Sequence, residues 1–462
     1  METRTGADAR QRGVHFETAL LPEGWARNVR IEIADALIRR IELDVPALPS
    51  DERAGVGLAG MPNLHSHAFQ RGMAGLTERR GPDDDSFWTW RKVMYGFVAR
   101  LTPEDLEAIA AQAYVEMLES GFTRVGEFHY LHHDVYGRPY DNPAEMAARI
   151  AAAASQCGIG LTLLPVFYAH SGFGGAPPTP AQVRFVNNAD RYARLIEASR
   201  IAVAGLDGAM VGIAPHSLRA VTTDELSAIL PCAAGGPVHI HIAEQLREVE
   251  ECLAWSGARP VDLLLDSAPV DGHWCLVHAT HMTDAETVRL ARSGAVAGLC
   301  PITEANLGDG IFPAAAFQAS GGRFGVGSDS NVLISMSEEL RLLEYGQRLT
   351  RRARNVMAPA AGISTGRALF DGAVSGGAQA LGVGGRLEVG ASADIITLNP
   401  NHPALVGRGG DDLLDSAIFA GSHGLIANVW RAGRRVVSDG VHHQRDVIAA
   451  RFRATLERLL AA

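Results

Sequence analysis

The sequence predicts an α/β protein built on a (β/α)₈ barrel, with strand-rich chain ends meeting as one small β-domain. Three observations predict it. Short apolar strand patterns alternate with helical ones through the middle of the chain, eight such strands can be counted, and both ends change to a strand-only texture. The first 57 residues alternate at 14–21, 29–34 and 37–43. The last ninety or so residues return to that style, with a strand at 393–398 and a hairpin over 426–438 turning at Ala432-Gly433. The divisions implied are 1–57 and 371–462 for the two parts of the β-domain and 58–370 for the barrel.

The eight barrel strands are expected at 57–64, 123–128, 160–167, 211–214, 238–242, 274–277, 295–299 and 324–327. Their span of about 270 residues suits such a barrel. Thr102-Pro103-Glu104-Asp105 opens a helix with a cap, a first-turn proline and two acids, and Gly121 can end it. Further helices are expected at 144–156 and 244–255, and a long loop at 171–180, which is rich in glycine and proline.

Composition excludes several chemistries. Of 42 basic side chains, Lys92 alone is a lysine, and it sits in no G-x-x-x-x-G-K-[ST] loop. Schiff-base catalysis, or a dinuclear metal site bridged by a modified lysine, would have to rest on that one residue. A net charge of −10 without a dense basic stretch argues against nucleic acid. The five cysteines, Cys157, Cys232, Cys252, Cys275 and Cys300, form no C-x-x-C, so neither a disulfide framework nor a thiolate zinc knuckle is indicated. The polar start at 1–13 has no signal-peptide core, and no apolar run is long enough to span a bilayer. The expectation is a soluble, cytoplasmic protein.

Chemistry in such a barrel gathers at the C-terminal ends of the strands. There the sequence places His65 and His67, His129 and Tyr130, Tyr168 and His170, His216, His241 and Glu244, His278 and His281, Pro301 and Thr303, and Asp329. In His65-Ser66-His67 the period of two puts both imidazoles on one side of the strand, within reach of one cation. With 17 histidines an H-x-H can also arise by chance. His239-Ile240-His241 repeats the pattern, and His241 lies nearer the strand end, leaving His239 to the core. Three histidines and Asp329 suit zinc or another borderline divalent metal, with room for water. Glu244 could shuttle protons there, or merely stabilise a helix start.

Other patterns carry less. Gly55-Val56-Gly57-Leu58-Ala59-Gly60 fits G-x-G-x-x-G, but a strand follows it instead of a helix. His442-His443 reads as an exposed pair, and His132 and His133 as members of a surface loop.

Pro62-Asn63-Leu64-His65-Ser66-His67, His241-Ile242-Ala243-Glu244, His278 and Gly327-Ser328-Asp329, in this order, resemble the metal-dependent amidohydrolase superfamily. Gly385 to Asp394 is similar to that family's return into a β-sandwich split around the barrel. Asn63 stands where many members carry aspartate. The stretch 63–71, Phe87-Trp88-Thr89-Trp90-Arg91, Glu127-Phe128-His129-Tyr130 and Ala214-Pro215-His216-Ser217-Leu218-Arg219 resemble its formimidoylglutamate deiminase branch.

The resemblance implies one metal ion per chain, zinc with iron(II) as the alternative, on His65, His67, His241 and Asp329. It implies Gln70, Arg91, Tyr130, His216 and Arg219 around a small dicarboxylate amidine, N-formimino-L-glutamate. The expected activity is hydrolysis of its C–N bond, in histidine degradation, by a homodimer. Asp329 would take a proton from the attacking water, Glu244 would relay one to nitrogen, and His278 would polarise or orient the reacting group. Arginine suits bidentate carboxylate recognition, so Arg91 and Arg219 could clamp one carboxylate each. The alternatives are a zinc aminohydrolase of a guanine- or cytosine-like heterocycle and a non-catalytic scaffold; a scaffold would be expected to have lost a ligand, and none of the four is missing.

Overall fold

The computed structural model describes residues 12–80 and 87–461, so the polar start at 1–11 lies outside the described residues. The fold is mixed α/β, with two all-parallel sheets and one sheet shared by both chain ends.

In the shared sheet the order is Val441–His442, Arg434–Ser438, Ile426–Arg431, Ile395–Leu398, Glu52–Ala59, Arg12–Leu21, Gly24–Ala34 and Leu37–Glu42. Ile395–Leu398 pairs antiparallel with Glu52–Ala59, and this is where the two ends of the chain join. The hairpin turns where expected: Ala432 (φ 50°) and Gly433 (φ 72°) both take the left-handed backbone a two-residue turn requires.

The first parallel sheet runs Met61–Ser66, Phe122–His129, Gly160–Phe167 and Met210–Val211, with Ala214–Pro215 also paired to Gly160–Phe167. The second runs Val238–Ile242, Trp274–His278, Val296–Leu299 and Arg323–Val326. Single parallel bridges, Ile213 to Val238 and Ser66 to Asp329, link the sheets at either edge. Residues of the strands Met61–Ser66, Val238–Ile242 and Trp274–His278 are all buried, as sheets covered on both faces require.

Two expected strands differ. The run 57–64 is divided, because Glu52–Ala59 belongs to the end sheet and Met61–Ser66 opens the first parallel sheet. Gly60 lies between them, and a Cβ there would fall 2.3 Å from the Thr123 side chain. An unbroken apolar pattern cannot reveal a change of sheet. The run 211–214 is two short strands, Met210–Val211 and Ala214–Pro215, separated where Gly212 passes close to the Pro237 carbonyl. Glu52–Ala59 also crosses residue 57, and the helix Thr365–Ala380 crosses residue 370.

The helix Pro103–Ser120 begins with the expected cap: Asp105 N–H donates to the Thr102 hydroxyl, and Thr102 N–H donates back to the Asp105 carboxylate. It ends on Gly121 at φ 102°. The expected helix at 144–156 is Glu145–Cys157. The one expected at 244–255 begins only at Leu246, after Gln245 as cap, so Glu244 precedes the helix and is free of the helix-start role.

Two histidine readings are corrected. His442 is buried and bonds through Nε2 to the Cys157 carbonyl, while its neighbour His443 is exposed. His132 and His133 are buried, and their Nε2 atoms donate to the carbonyls of Val166 and Val186. In each case a distant backbone carbonyl gives an imidazole a reason to be inside.

Candidate active site

The site lies where the parallel strands end. Several of those ends leave extended geometry at once: Ala243 (φ 49°), His278 (φ 68°) and Asp329 (φ 42°) occupy left-handed backbone, uncommon for residues with a Cβ. The chain thus turns sharply and presents side chains to the space above the sheet.

The first group is a histidine cluster. His65 Nε2 lies 3.2 Å from His67 Nε2 and 3.0 Å from His241 Nε2. Asp329 Oδ1 lies 3.5 Å from His65 Nε2 and 3.3 Å from His67 Nε2. All four residues are buried.

Tautomers follow from the outer nitrogens. His67 Nδ1 is 2.9 Å from the Phe128 carbonyl and His241 Nδ1 is 3.1 Å from the His216 carbonyl. A carbonyl only accepts, so both protons sit on Nδ1 and both Nε2 atoms present lone pairs. One proton on His65 could satisfy only one of them. Burial lowers His67, holds His241 well below its ordinary value and lowers His65 to about 3, so the imidazoles are neutral. Burial alone would raise Asp329, but its contact with His65 and the nearby His67 and His278 hold it well below the carboxylate range. Converging lone pairs beside an ionised carboxylate form a donor set for a divalent cation, so the residues fit a metal.

Asn63 explains part of this placement. Its amide donates to Ser328 Oγ at 2.6 Å and accepts the Ser328 N–H at 3.0 Å. Ser328 Oγ donates onward to Asn331 Oδ1, and the Asn331 amide donates to the carbonyls of His67 and Asp329. The end of the strand Met61–Ser66, with His65 and His67, is therefore tied to the turn that follows Arg323–Val326 and carries Asp329. The neutral amide serves because it both donates and accepts.

Beside the cluster, His278 Nε2 lies 3.9 Å from Glu244 Oε1 and 3.8 Å from Asp329 Oδ2. Its Nδ1 lies 3.2 Å from Glu304 Oε1. Burial would lower His278, but Glu244 and Glu304 raise it to about 10, making it a charged donor. Burial raises Glu244 to about 7, so it can hold or release a proton near neutrality.

One pocket collects the remaining predicted residues: Gln70, Arg91, Tyr130, His216 and Arg219 line it together with His67, His241, Glu244, His278 and Asp329. Gln70 Nε2 donates to the Tyr130 hydroxyl at 3.0 Å, while its buried Oε1 has no partner among the described residues. Arg91, from the helix Phe87–Val98, and Arg219 each place their guanidinium 5.7 Å from the Trp88 ring centre. Arg219 faces the buried Glu248 at 3.8 Å. Arg91 Nη2 donates to the Tyr168 hydroxyl at 3.1 Å.

His239 stays outside the site, bonded at 2.7 Å to the Ala380 carbonyl, as its position farther from the strand end implied. His129 is buried with Nε2 unpartnered among the described residues, and Lys92 is exposed. Tyr95, Gln182, Glu248 and Glu304 were not singled out from sequence. Thr179 to Gln182 does carry the S/T-x-x-E/Q spacing of a capping box, but that signal marks a turn and not its contact.

A fold and donor set of this kind define a class. The model for the amidohydrolase family matches residues 56–436, and the chain belongs to that family, whose members hydrolyse with a bound metal. A second model, the N-terminal domain of formimidoylglutamate deiminase HutF, matches residues 11–55. The chain is 54% identical to the formimidoylglutamate deiminase of Pseudomonas aeruginosa over 97% of its length and 99% of the relative's. It is 30% identical to an 8-oxoguanine deaminase of the same species, over 89% of each chain. The crystal structure of an amidohydrolase from Brucella melitensis superposes with a TM-score of 0.94 at 58% identity, covering 97% of this chain and all of that one. These similarities place it in the formimidoylglutamate deiminase branch, among hydrolases of C–N bonds. An adenosine deaminase from Xanthomonas campestris with bound zinc shares the fold at 20% identity and a TM-score of 0.80.

Among the described residues no helix is long and apolar enough to cross a membrane.

Proposed function

We propose that the chain hydrolyses N-formimino-L-glutamate with water to N-formyl-L-glutamate and ammonia, a step in histidine degradation. One observation carries this reading: a metal-competent corner and two guanidiniums, Arg91 and Arg219, line the same pocket. The substrate has a reacting amidine carbon and two carboxylates, and the pocket offers one partner set for each. A dicarboxylate neutralises both guanidinium charges, which a neutral nucleobase cannot, and this favours the dicarboxylate over the heterocycle.

His65, His67, His241 and Asp329 would hold one divalent ion, zinc in this reading, and when bound it supplies the Lewis acidity that makes water a nucleophile near neutral pH. Asp329 accepts the proton of the attacking water. Glu244 carries a proton to the departing nitrogen, for which a carboxyl raised to about 7 is suited. His278, charged and held by Glu304, donates to the reacting centre. Gln70 Oε1 accepts a substrate N–H. Arg91 and Arg219 bind the carboxylates, with Tyr130 and His216 between them and the metal corner.

The bridges at both sheet edges support closure into a (β/α)₈ barrel. Phe16 and Trp430 have ring centres 6.3 Å apart, although three strand spacings, about 14 Å in a flat sheet, separate their strands. That supports an end sheet folded over as a small β-sandwich, with the division near 57 moved past Ala59 and the one near 370 moved past the helix Thr365–Ala380. A cytoplasmic homodimer belongs to the same reading and rests on the resemblance.

The test is metal analysis of the purified protein combined with ammonia release. We expect one metal per chain and turnover of N-formimino-L-glutamate, with guanine and 8-oxoguanine inert. Turnover of a nucleobase without turnover of the dicarboxylate would replace this reading with the heterocycle one.

A further inference from the structure

Arg91 and Arg219 differ in what stands behind them. Arg219 faces the carboxylate of Glu248. Arg91 is surrounded by phenols, bonded to Tyr168 and lying 5.2 Å from the Tyr95 ring centre, and no carboxylate pairs with it among the described residues. Its positive charge lines the pocket.

The hydrogen bonds around Tyr168 can be followed donor by donor. Thr179 N–H donates to Gln182 Oε1 at 2.7 Å, and the Thr179 hydroxyl donates to the same atom at 3.0 Å. A backbone N–H cannot accept, so the amide oxygen of Gln182 faces Thr179 and its NH₂ faces the other way. That NH₂ donates to the Tyr168 hydroxyl at 2.6 Å and to the Tyr95 hydroxyl at 3.4 Å. Arg91 Nη2 donates to the same Tyr168 oxygen. Tyr168 therefore accepts twice, and both of its lone pairs are engaged. Its own O–H has no acceptor among the described residues, and the residue is buried and lines the pocket. Among the described residues, a buried hydroxyl proton without an acceptor adjoins an arginine without a paired carboxylate, and one substrate carboxylate bound by both would satisfy the two.

We propose that Tyr168 is a substrate-binding donor that shares one substrate carboxylate with Arg91, and that Gln182 is the positioning residue that keeps the Tyr168 proton directed into the pocket. Gln182 sits on the one-turn helix Pro180–Gln182, at the end of the glycine- and proline-rich loop. A loop that has no chemistry of its own thus sets the donor pattern of the pocket. This proposal rests on the dicarboxylate reading above.

The experiment compares the wild-type enzyme with Tyr168→Phe and Gln182→Met on three substrates: N-formimino-L-glutamate and its two mono-carboxamides, one at each carboxyl. For Tyr168→Phe we expect KM for the diacid to rise about 10- to 100-fold, the range of a charge-assisted hydrogen bond, with kcat changed less than about threefold. The rise should disappear for the mono-carboxamide lacking the carboxylate that Arg91 binds and persist for the other. Gln182→Met should move KM in the same direction by a smaller factor, and the double variant should resemble Tyr168→Phe alone. An unchanged KM for Tyr168→Phe, a loss confined to kcat, or equal losses on all three substrates would each overturn the proposal. If the wild-type enzyme does not turn over the diacid, the functional reading itself fails, and the two failures are told apart by the wild-type control.

Discussion

The metal corner and the arginine wall face each other across one pocket, yet they are built in opposite ways. The corner comes from the ends of parallel strands, with imidazole protons fixed by the carbonyls of Phe128 and His216. Its lone pairs converge, and it is nearly complete before any ligand arrives. The wall comes from a helix and loops, with Arg91 held by phenols and Arg219 by Glu248. Glu248 already answers the charge of Arg219, while no carboxylate pairs with Arg91 among the described residues. The difference teaches that this pocket sets the reacting groups on strand ends and the substrate-binding charges on a helix and a loop.

The sharpest way to break the comparison is at the corner. His241→Ala or Asp329→Asn should lower metal content and suppress turnover by at least about a thousandfold, measured by metal analysis and ammonia release. Chelation should give the same loss, and added zinc should reverse it. Next in size is Glu244→Gln, which should leave the metal bound but lower kcat by about a hundred- to ten-thousandfold. Near-normal turnover in that variant would remove Glu244 from the proton relay. At the wall, Arg91→Met and Arg219→Met should each raise KM about a hundredfold while metal content stays at the wild-type level.

The smallest effect is on stability. Glu127 is buried beneath the turn that follows His67, accepting hydrogen bonds from Ala68 N–H and the Tyr114 hydroxyl, and burial raises it from an ordinary 4.5 to about 8. Between these values the folded chain binds a proton that the unfolded chain has released. Its contribution to stability therefore falls as pH rises from about 4.5 to about 8 and levels off above, by at most a few kcal/mol. Glu127→Gln should flatten Tm against pH over that window, and an unchanged slope would assign the pH dependence elsewhere.

Much of the corner was legible because strand periodicity and strand ends are local properties. His65 and His67 fall on one strand face by the period of two, and His241 exceeds His239 only in being nearer the end. Glu244 was ambiguous, since two residues decide whether a glutamate starts a helix or precedes it. The change of sheet at Gly60 was invisible, because both strands are apolar and the Thr123 side chain that leaves no room for a Cβ there is distant in sequence. The burial of His442, and of His132 and His133 in their loop, was invisible for a related reason: their partners are carbonyls distant in sequence.

The sequence by itself determined the alternation of strands and helices, the metal-competent side chains at strand ends and, through its single lysine, the exclusion of a lysine-bridged metal pair. These depend on residue identity and spacing along one chain segment. Only the tertiary structure decided which nitrogen of His67 and of His241 bears the proton, why Asn63 suits its place, and that Gln182 reaches Tyr168 and so Arg91. Hydrogen-bond direction is set by the partner a group meets, and these partners meet only when distant segments pack together.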